Sequence, residues 1–376
     1  MTLKRRITQA IHSNGGWLPF DRYMHLALYA PRLGYYARDD RQFGLLDASG
    51  GDFVTAPEFS QLFARALAEQ VAEALRATGS DAVWEFGPGT GALARGLLAA
   101  LRDLGQPVAR YTLVDVSGAL RARQQVTLAA YMDGAPDAAS SVVQWADALP
   151  EAMTGVVIGN EVLDAMPVKL LARIGNVWHE RGVALDAAGA LVWADRPTAL
   201  RPPVAVPGEH DYVTEIHPQP RAFVATLADR LLAGERATGH GGAAFFIDYG
   251  FPEAEYWHPQ RAMGTLACHR AHRMDDDPLS APGEKDITAH VDFTGIALAA
   301  QDAGLTVLGY TSQARFLLNL GLAELMAQSD LPTRANAMKL IAEHEMGELF
   351  KVIGLATPGH VWAARGFAQG DRSHRL

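Results

Sequence analysis

"VWEFGPGTGALA" (residues 83–94) reads as a buried strand, a glycine-dense turn and the opening of a helix. Such a turn suits a nucleotide-like cofactor, because glycines let the backbone come close and a helix N-terminus offers free amides. Gly87, Gly89 and Ala92 fit the G-x-G-x-x-G/A spacing of a dinucleotide site, with Gly91 as the third glycine. No Lys followed by Ser or Thr closes the turn, so it is not a P-loop. Glu85 stands two residues before Gly87. A fixed carboxylate there would repel a pyrophosphate but suit a cofactor bearing an ammonium and a sulfonium. S-adenosyl-L-methionine (SAM) carries both, and its carboxylate can take the helix amides.

The following strands support that choice. "YTLVDVS" places Asp115 24 residues after Gly91, where an acid can accept both ribose hydroxyls, with Ser117 just beyond. "VVQWADAL" then sets Asp147 beside Ala148, where the adenine amino group would be read. Without a cofactor, Asp115 would be a helix cap and Asp147 a turn residue. Strand and helix patterns alternate at 83–86, up to 104, 111–116, from 120, 142–145 and 155–159, the rhythm of a doubly wound, mostly parallel α/β sheet.

Around this core the pattern changes. Residues 1–30 predict helices, with Asp21 as a cap before Pro31, and "TAPEFSQLFARALAEQVAEALRATG" (residues 55–79) has helical apolar spacing at Leu62, Phe63, Ala66, Leu67 and Val71, with Gly79 as the stop. Residues 38–51 are rich in Asp and Gly, as a mobile loop would be. Residues 168–215 alternate apolar and polar side chains with turns at Gly175-Asn176 and Ala188-Gly189, an antiparallel meander. A helix at 220–232, a strand in "AAFFIDYG", a loop-heavy stretch at 251–295, a strand at 305–310 and a strand pair "FKVIGLA" and "HVWAARGF" complete the chain. The expected division is 1–78 as an N-terminal helical extension, 79–167 as the cofactor half, 168–240 as an insertion and 241–376 as the second half.

Composition narrows the classes. With 49% hydrophobic and 20% charged residues, the 376-residue chain can form an ample core. Its net charge of −9 and lack of a basic tract argue against nucleic acid as a partner. No apolar run approaches the ~20 residues of a membrane span. The lone Cys268 precludes an intrachain disulfide and fits a reducing compartment. "MTLKRRITQA" lacks a signal peptide's apolar stretch, and Asp21 follows too soon for a transit peptide, so the expected location is cytoplasmic.

Taken together, "EFGPGTG", "VDVS" and "GNEVLDAMPV" resemble class I SAM-dependent methyltransferases with a Rossmann-like fold. With "FDRYMHLALYAPRLGYY", "GDFVTAPEFSQLF", "FFIDYG", "PGEKDITAHVDF" and "MGELFKVIGLA", the chain is similar to the MidA family over nearly its whole length. That resemblance implies a protein-arginine methyltransferase, since the family includes the mitochondrial enzyme that assists respiratory complex I assembly. It implies a protein substrate, with a complex I subunit as the candidate partner. Asp115 stands where the family more often has Glu, and the meander matches no family motif.

Methyl transfer to a guanidinium needs acids to grip and orient it, because Arg has no accessible neutral form. "GNEVLDAMP" offers Asn160, Glu161 and Asp164 at the carboxyl edge of a buried strand. Glu161 would grip the guanidinium and Asp164 assist, both on one face if the segment turns helically. Asn160 would satisfy cofactor or substrate, or else cap that helix. In "GEKDITAHVDF", His290 could take up the proton lost after transfer, or Asp286, Thr288, His290 and Asp292 could pin a loop. Thr55 and Glu58 sit where an N-terminal segment could fold over SAM. "CHRAHRMDDD" has only superficial metal spacing, so no metal is expected. An NAD-type oxidoreductase and a non-catalytic, SAM-binding assembly factor are the competing readings.

Overall fold

Strand Ala82–Phe86 is buried at all five positions, which is why it reads as a continuous run rather than an alternation. In this computed structural model, which describes residues 2–38, 56–115, 117–133, 143–270 and 273–376, it pairs in parallel with Arg110–Val114 on one side and Gly155–Asn160 on the other. Val143–Ala146 extends the first side and Gly242–Phe251 the second, both in parallel. Phe350–Ala356 and then Thr306–Ser312 add antiparallel strands beyond Gly242–Phe251. After Val143–Ala146 the chain crosses to the other side of Ala82–Phe86, so a crevice opens between the carboxyl ends of Ala82–Phe86 and Gly155–Asn160. Ligands of doubly wound sheets bind at such a switch point.

These strands belong to one of two compact units, made of Val54–Leu163, Phe223–Gly250 and Ile296–Leu376. Helix Gln61–Thr78 is capped by Ser60 and stopped by Gly79 in the left-handed region, as the sequence predicts. It packs with helix Ala92–Asp103 over Val83, Tyr111, Val156 and Ile158. On the opposite face Phe223 stacks edge-on against both Phe86 and Phe246. The predicted strand in "HVWAARGF" does not form; short 3-10 turns at Pro358–His360 and Arg365–Phe367 replace it. Pro358 donates no amide, and the amides of Arg365 and Gly366 are taken by Glu73 and Gln70 of helix Gln61–Thr78.

The other unit is made of Met1–Phe53, Asp164–Ala222 and Phe251–Gly295. Its alternating stretch folds into antiparallel strands Lys169–Ile174, Val177–Leu185, Leu191–Pro197 and Tyr212–Ile216. Gly175 and Asn176 both have positive φ, the requirement of a tight two-residue hairpin. Helices Leu3–Ser13 and Phe20–Tyr29 bury Ile7, Ile11, Tyr23 and Met24. Pro19, not Asp21, holds the cap position of the second; Asp21 lies in its first turn and pairs with Lys169. The stretch expected to be loops carries a small antiparallel sheet, Arg273–Asp275, Ala267–Arg270 and Asp286–Thr288. Strands of three or four residues are too short to show a period.

Helix Pro218–Thr238 lies so close to the chain before Gly155–Asn160 that a Cβ on Gly234 would sit 1.8 Å from the Met153 carbonyl oxygen. Gly234→Ala should therefore destabilise the protein by about 1–3 kcal/mol, through forced displacement of backbone. A lower urea midpoint with an unchanged m-value is the expected outcome; an unchanged midpoint would mean that the helix shifts freely.

Candidate functional site

The turn after Ala82–Phe86 needs left-handed backbone three times, at Gly87 (φ 59°), Gly89 (φ 51°) and Gly91 (φ 83°). Gly91 opens helix Ala92–Asp103. A Cβ on Gly87 would press on Val162, 2.9 Å away, whereas one on Gly89 would meet nothing within 4 Å. Gly89 thus faces open space beside a helix N-terminus, where the dipole favours an anionic group.

Asp115 is buried and held by two donors. The Ser117 amide reaches Oδ1 at 2.8 Å and Gln124 Nε2 reaches Oδ2 at 2.6 Å. Gln124 also donates to the Gly89 carbonyl at 3.0 Å and accepts from Trp145 Nε1 at 2.9 Å. This one fully buried amide ties the glycine turn, the acid and strand Val143–Ala146 together. Sequence reasoning missed it, since a Gln within a helix ordinarily reads as a solvated position. Ser117 accepts the Leu120 amide at 3.3 Å and so acts as a cap. Asp147 is exposed and paired with Arg121. Ala148 lines a cavity with Trp84, Gln144 and Met153, and none of the glycine-turn residues is in its wall.

Glu85 is 2% exposed and accepts a hydrogen bond from Tyr111 at 2.5 Å. Burial pushes its carboxyl up to about 8, against the opposing effect of that hydrogen bond. Burial therefore favours the neutral form of Glu85 over the fixed carboxylate that the sequence suggests.

At the end of Gly155–Asn160 the backbone does something uncommon for a residue with a side chain. Glu161 takes φ 54°, in the left-handed region that costs a non-glycine residue about 1–3 kcal/mol. Its amide donates to Ile247, and the amides of Val162 and Leu163 both donate to Asp248 Oδ2, at 3.1 and 2.9 Å. No helix follows, so Asn160 is not a helix cap and the helical face expected for Glu161 and Asp164 does not form. Asn160 Nδ2 instead donates to Glu161 Oε1 at 3.0 Å, and its buried Oδ1 has no partner. An open Gly89 cradle and an orphaned acceptor fit a cofactor with a carboxylate and an ammonium. Asp248 was not singled out as a site residue, although "FFIDYG" contains it.

Asp164 and His290 belong to the other unit. His290 stacks on Phe251 at 5.1 Å, and its amide donates to Thr265. Thr265 is gripped in turn by Glu215, which is fully buried and accepts the Thr265 amide (2.9 Å), the Thr265 hydroxyl (3.1 Å) and Tyr256 (2.9 Å). His217 contacts the same tyrosine; burial first, then His290, pushes its imidazole down to about 3. Such a network anchors the loop beneath His290, and no motif announced Glu215. Asp292 is pushed up to about 6, chiefly by burial. Thr55 and the Glu58 side chain lie outside the described residues, as do His272 and all of 38–51 except Arg38. Among the described residues no group of His, Cys, Asp and Glu could hold a metal.

Two outcomes follow. Gly89→Val should cost about 1–2 kcal/mol for its backbone conformation and abolish binding of S-adenosyl-homocysteine in a titration; parent-like binding would remove the turn from the site. For Glu85, the folded value lies above the unfolded one, so its stabilising effect is complete below about 4.5 and lost as pH rises through about 8. Glu85→Gln should then gain on the parent by about 1 kcal/mol for each pH unit in that window. Parallel stability curves from urea melts would show that Glu85 is already ionised.

A family model described as S-adenosyl-L-methionine-dependent methyltransferase matches residues 66–311. A Burkholderia thailandensis protein, solved bound to S-adenosyl-homocysteine, is 51% identical with a TM-score of 0.92, covering 100% of this chain and 96% of its own. "Protein arginine methyltransferase NDUFAF7, mitochondrial" of Danio rerio is 29% identical over 88% of this chain and 81% of the relative. The Homo sapiens protein of that name is 28% identical over 93% and 82%. These relatives are named as mitochondrial, which overturns the cytoplasmic expectation. A lone cysteine constrains redox state and not the compartment, so it could not decide the location. More than half of its length matches the model, and the chain belongs to this family of SAM-dependent methyltransferases.

Proposed function

We propose that this methyltransferase acts on an arginine guanidinium of a partner protein, with Glu161 as the group that grips the acceptor. The observation that carries the reading is Glu161 itself: a carboxylate held in costly left-handed backbone at the switch point, and steadied by Asn160 and by Asp248 beneath the turn. Strain of this kind persists where the surroundings over-determine it, commonly at functional sites. The names of the curated relatives support arginine as the acceptor.

When bound, the cofactor supplies a methyl carbon made electrophilic by its sulfonium. Gly89 leaves the space that the cofactor needs, and Asp115, oriented by Gln124 and Ser117, accepts its ribose hydroxyls. Glu85 ionises toward the cofactor's positive groups. Glu161 would pair with the guanidinium and hold it in a fixed orientation, a matter of positioning more than of proton transfer. Asp147 and Ala148 read the adenine. The partner suggested by the family resemblance is a respiratory complex I subunit.

The reaction is tested by incubating the purified chain and labelled SAM with lysate of cells lacking the enzyme, then mapping methyl marks by mass spectrometry. Marks on arginine support the reading; marks confined to lysine, or none, overturn it. Glu161→Gln keeps size and removes charge. Methylation should fall by about 100-fold or more, equivalent to roughly 2.7 kcal/mol in the transition state, while cofactor affinity stays within a few fold. Full turnover in the variant would remove Glu161 from the grip.

A further inference from the structure

A second group of acids lies in the unit that carries the N-terminal helices. Tyr36 donates to Asp286 Oδ1 at 2.7 Å. Its phenol is pushed well above the ordinary value by burial first and then by Asp286, Tyr29 and Asp164, so both carboxyl groups act on one hydroxyl. Asp164 and Asp286 are each only 4% exposed. The backbone around Asp164 is fixed on both sides: its carbonyl accepts the Ala289 amide at 3.0 Å, and the next carbonyl, of Ala165, accepts the Tyr29 hydroxyl at 2.8 Å. Tyr29 and Tyr36 stack at 5.5 Å, and both rings keep part of their surface in solvent.

An independent feature points to a ligand. Thr288 is 3% exposed, yet its hydroxyl has no hydrogen-bond partner. In strand Asp286–Thr288 the two end residues share a face, so this unpaired hydroxyl lies on the same side as the Asp286 carboxylate. An unsatisfied buried hydroxyl is costly unless something completes it. Two acids, an unpaired hydroxyl acceptor and a stacked pair of tyrosines suit a planar, weakly hydrated cation rich in N–H donors, which can take carboxylates at its edge and an aromatic ring at its face.

We propose that Asp286, Asp164, Tyr36, Tyr29 and Thr288 form a recognition site for a guanidinium group of the protein substrate. The site deepens the arginine reading above and rests on it. It explains why the Tyr-rich segment "LALYAPRLGYY" and the "GEKDITAHVDF" segment, far apart in sequence, are joined by a direct side-chain hydrogen bond.

The test uses the full chain saturated with S-adenosyl-homocysteine and two small probes, Nα-acetyl-arginine amide and Nα-acetyl-lysine amide, with binding followed by calorimetry. The arginine probe should bind the parent, and Asp286→Asn should weaken it by about tenfold or more, the usual effect of losing a charge-assisted partner. Tyr36→Phe, which keeps the ring, should weaken it by a few fold and gives the answer if Asp286→Asn fails to fold. S-adenosyl-homocysteine affinity should be unchanged in both. Arginine binding that ignores both substitutions overturns this site and leaves the arginine reading standing. Lysine binding that equals or exceeds arginine binding and is lost in Asp286→Asn leaves a cation site but overturns arginine as its ligand. No binding of either probe overturns the proposal.

Discussion

Two neighbouring strands, Ala82–Phe86 and Gly155–Asn160, both end in left-handed backbone, and the cofactor unit is organised around that constraint. After the first strand, glycines meet the demand without steric penalty. After the second, Glu161 meets it at a cost that its surroundings must offset. The offset is visible in Asp248, on the adjacent strand, which accepts two consecutive amides just beyond the strained residue. A helix there would have used those amides differently and turned Glu161 elsewhere. Placing the acid at the switch point therefore depends on a carboxylate 87 positions away in sequence from Glu161.

Buried polar groups do comparable work in both units. Gln124 spans the glycine turn, Asp115 and Trp145 with a single amide, so the Asp115 carboxylate cannot rotate without breaking its link to the turn. Glu215 holds Tyr256 and both the amide and the hydroxyl of Thr265, and thereby the support of His290. Fully satisfied networks of this sort rigidify their surroundings, while a partial network would be costly. Glu85 differs, since burial outweighs its one hydrogen bond and raises its pKa.

Family membership and geometry support different parts of the functional reading. The matched model accounts for SAM-dependent methyl transfer. The proposed arginine acceptor rests on side chains that the glycine turn says nothing about: Glu161 at the strand end and, separately, the acid and tyrosine cluster around Asp286. Both are anionic groups suited to a cation that stays charged throughout, and neither resembles a site for a neutral acceptor.

Local pattern was enough to determine the parallel core, the glycine turn, the stop at Gly79 and the antiparallel strands after residue 168. Each follows from short-range rules: continuous apolar runs for doubly covered strands, left-handed backbone for glycine, and alternation for half-buried strands. Longer motifs also named the family. Tertiary structure alone decided where the hydrogen bonds go. The alternative reading of Asn160 as a helix cap fails because no helix follows and Asp248 accepts the Val162 and Leu163 amides that a capping side chain would have taken. "HVWAARGF" looked like a strand until Gln70 and Glu73 captured its backbone from a helix nearly 300 residues earlier. Gln124, Glu215 and Asp248 carry no signature of their own, because a buried polar side chain is defined by partners that only the folded chain brings within 3 Å.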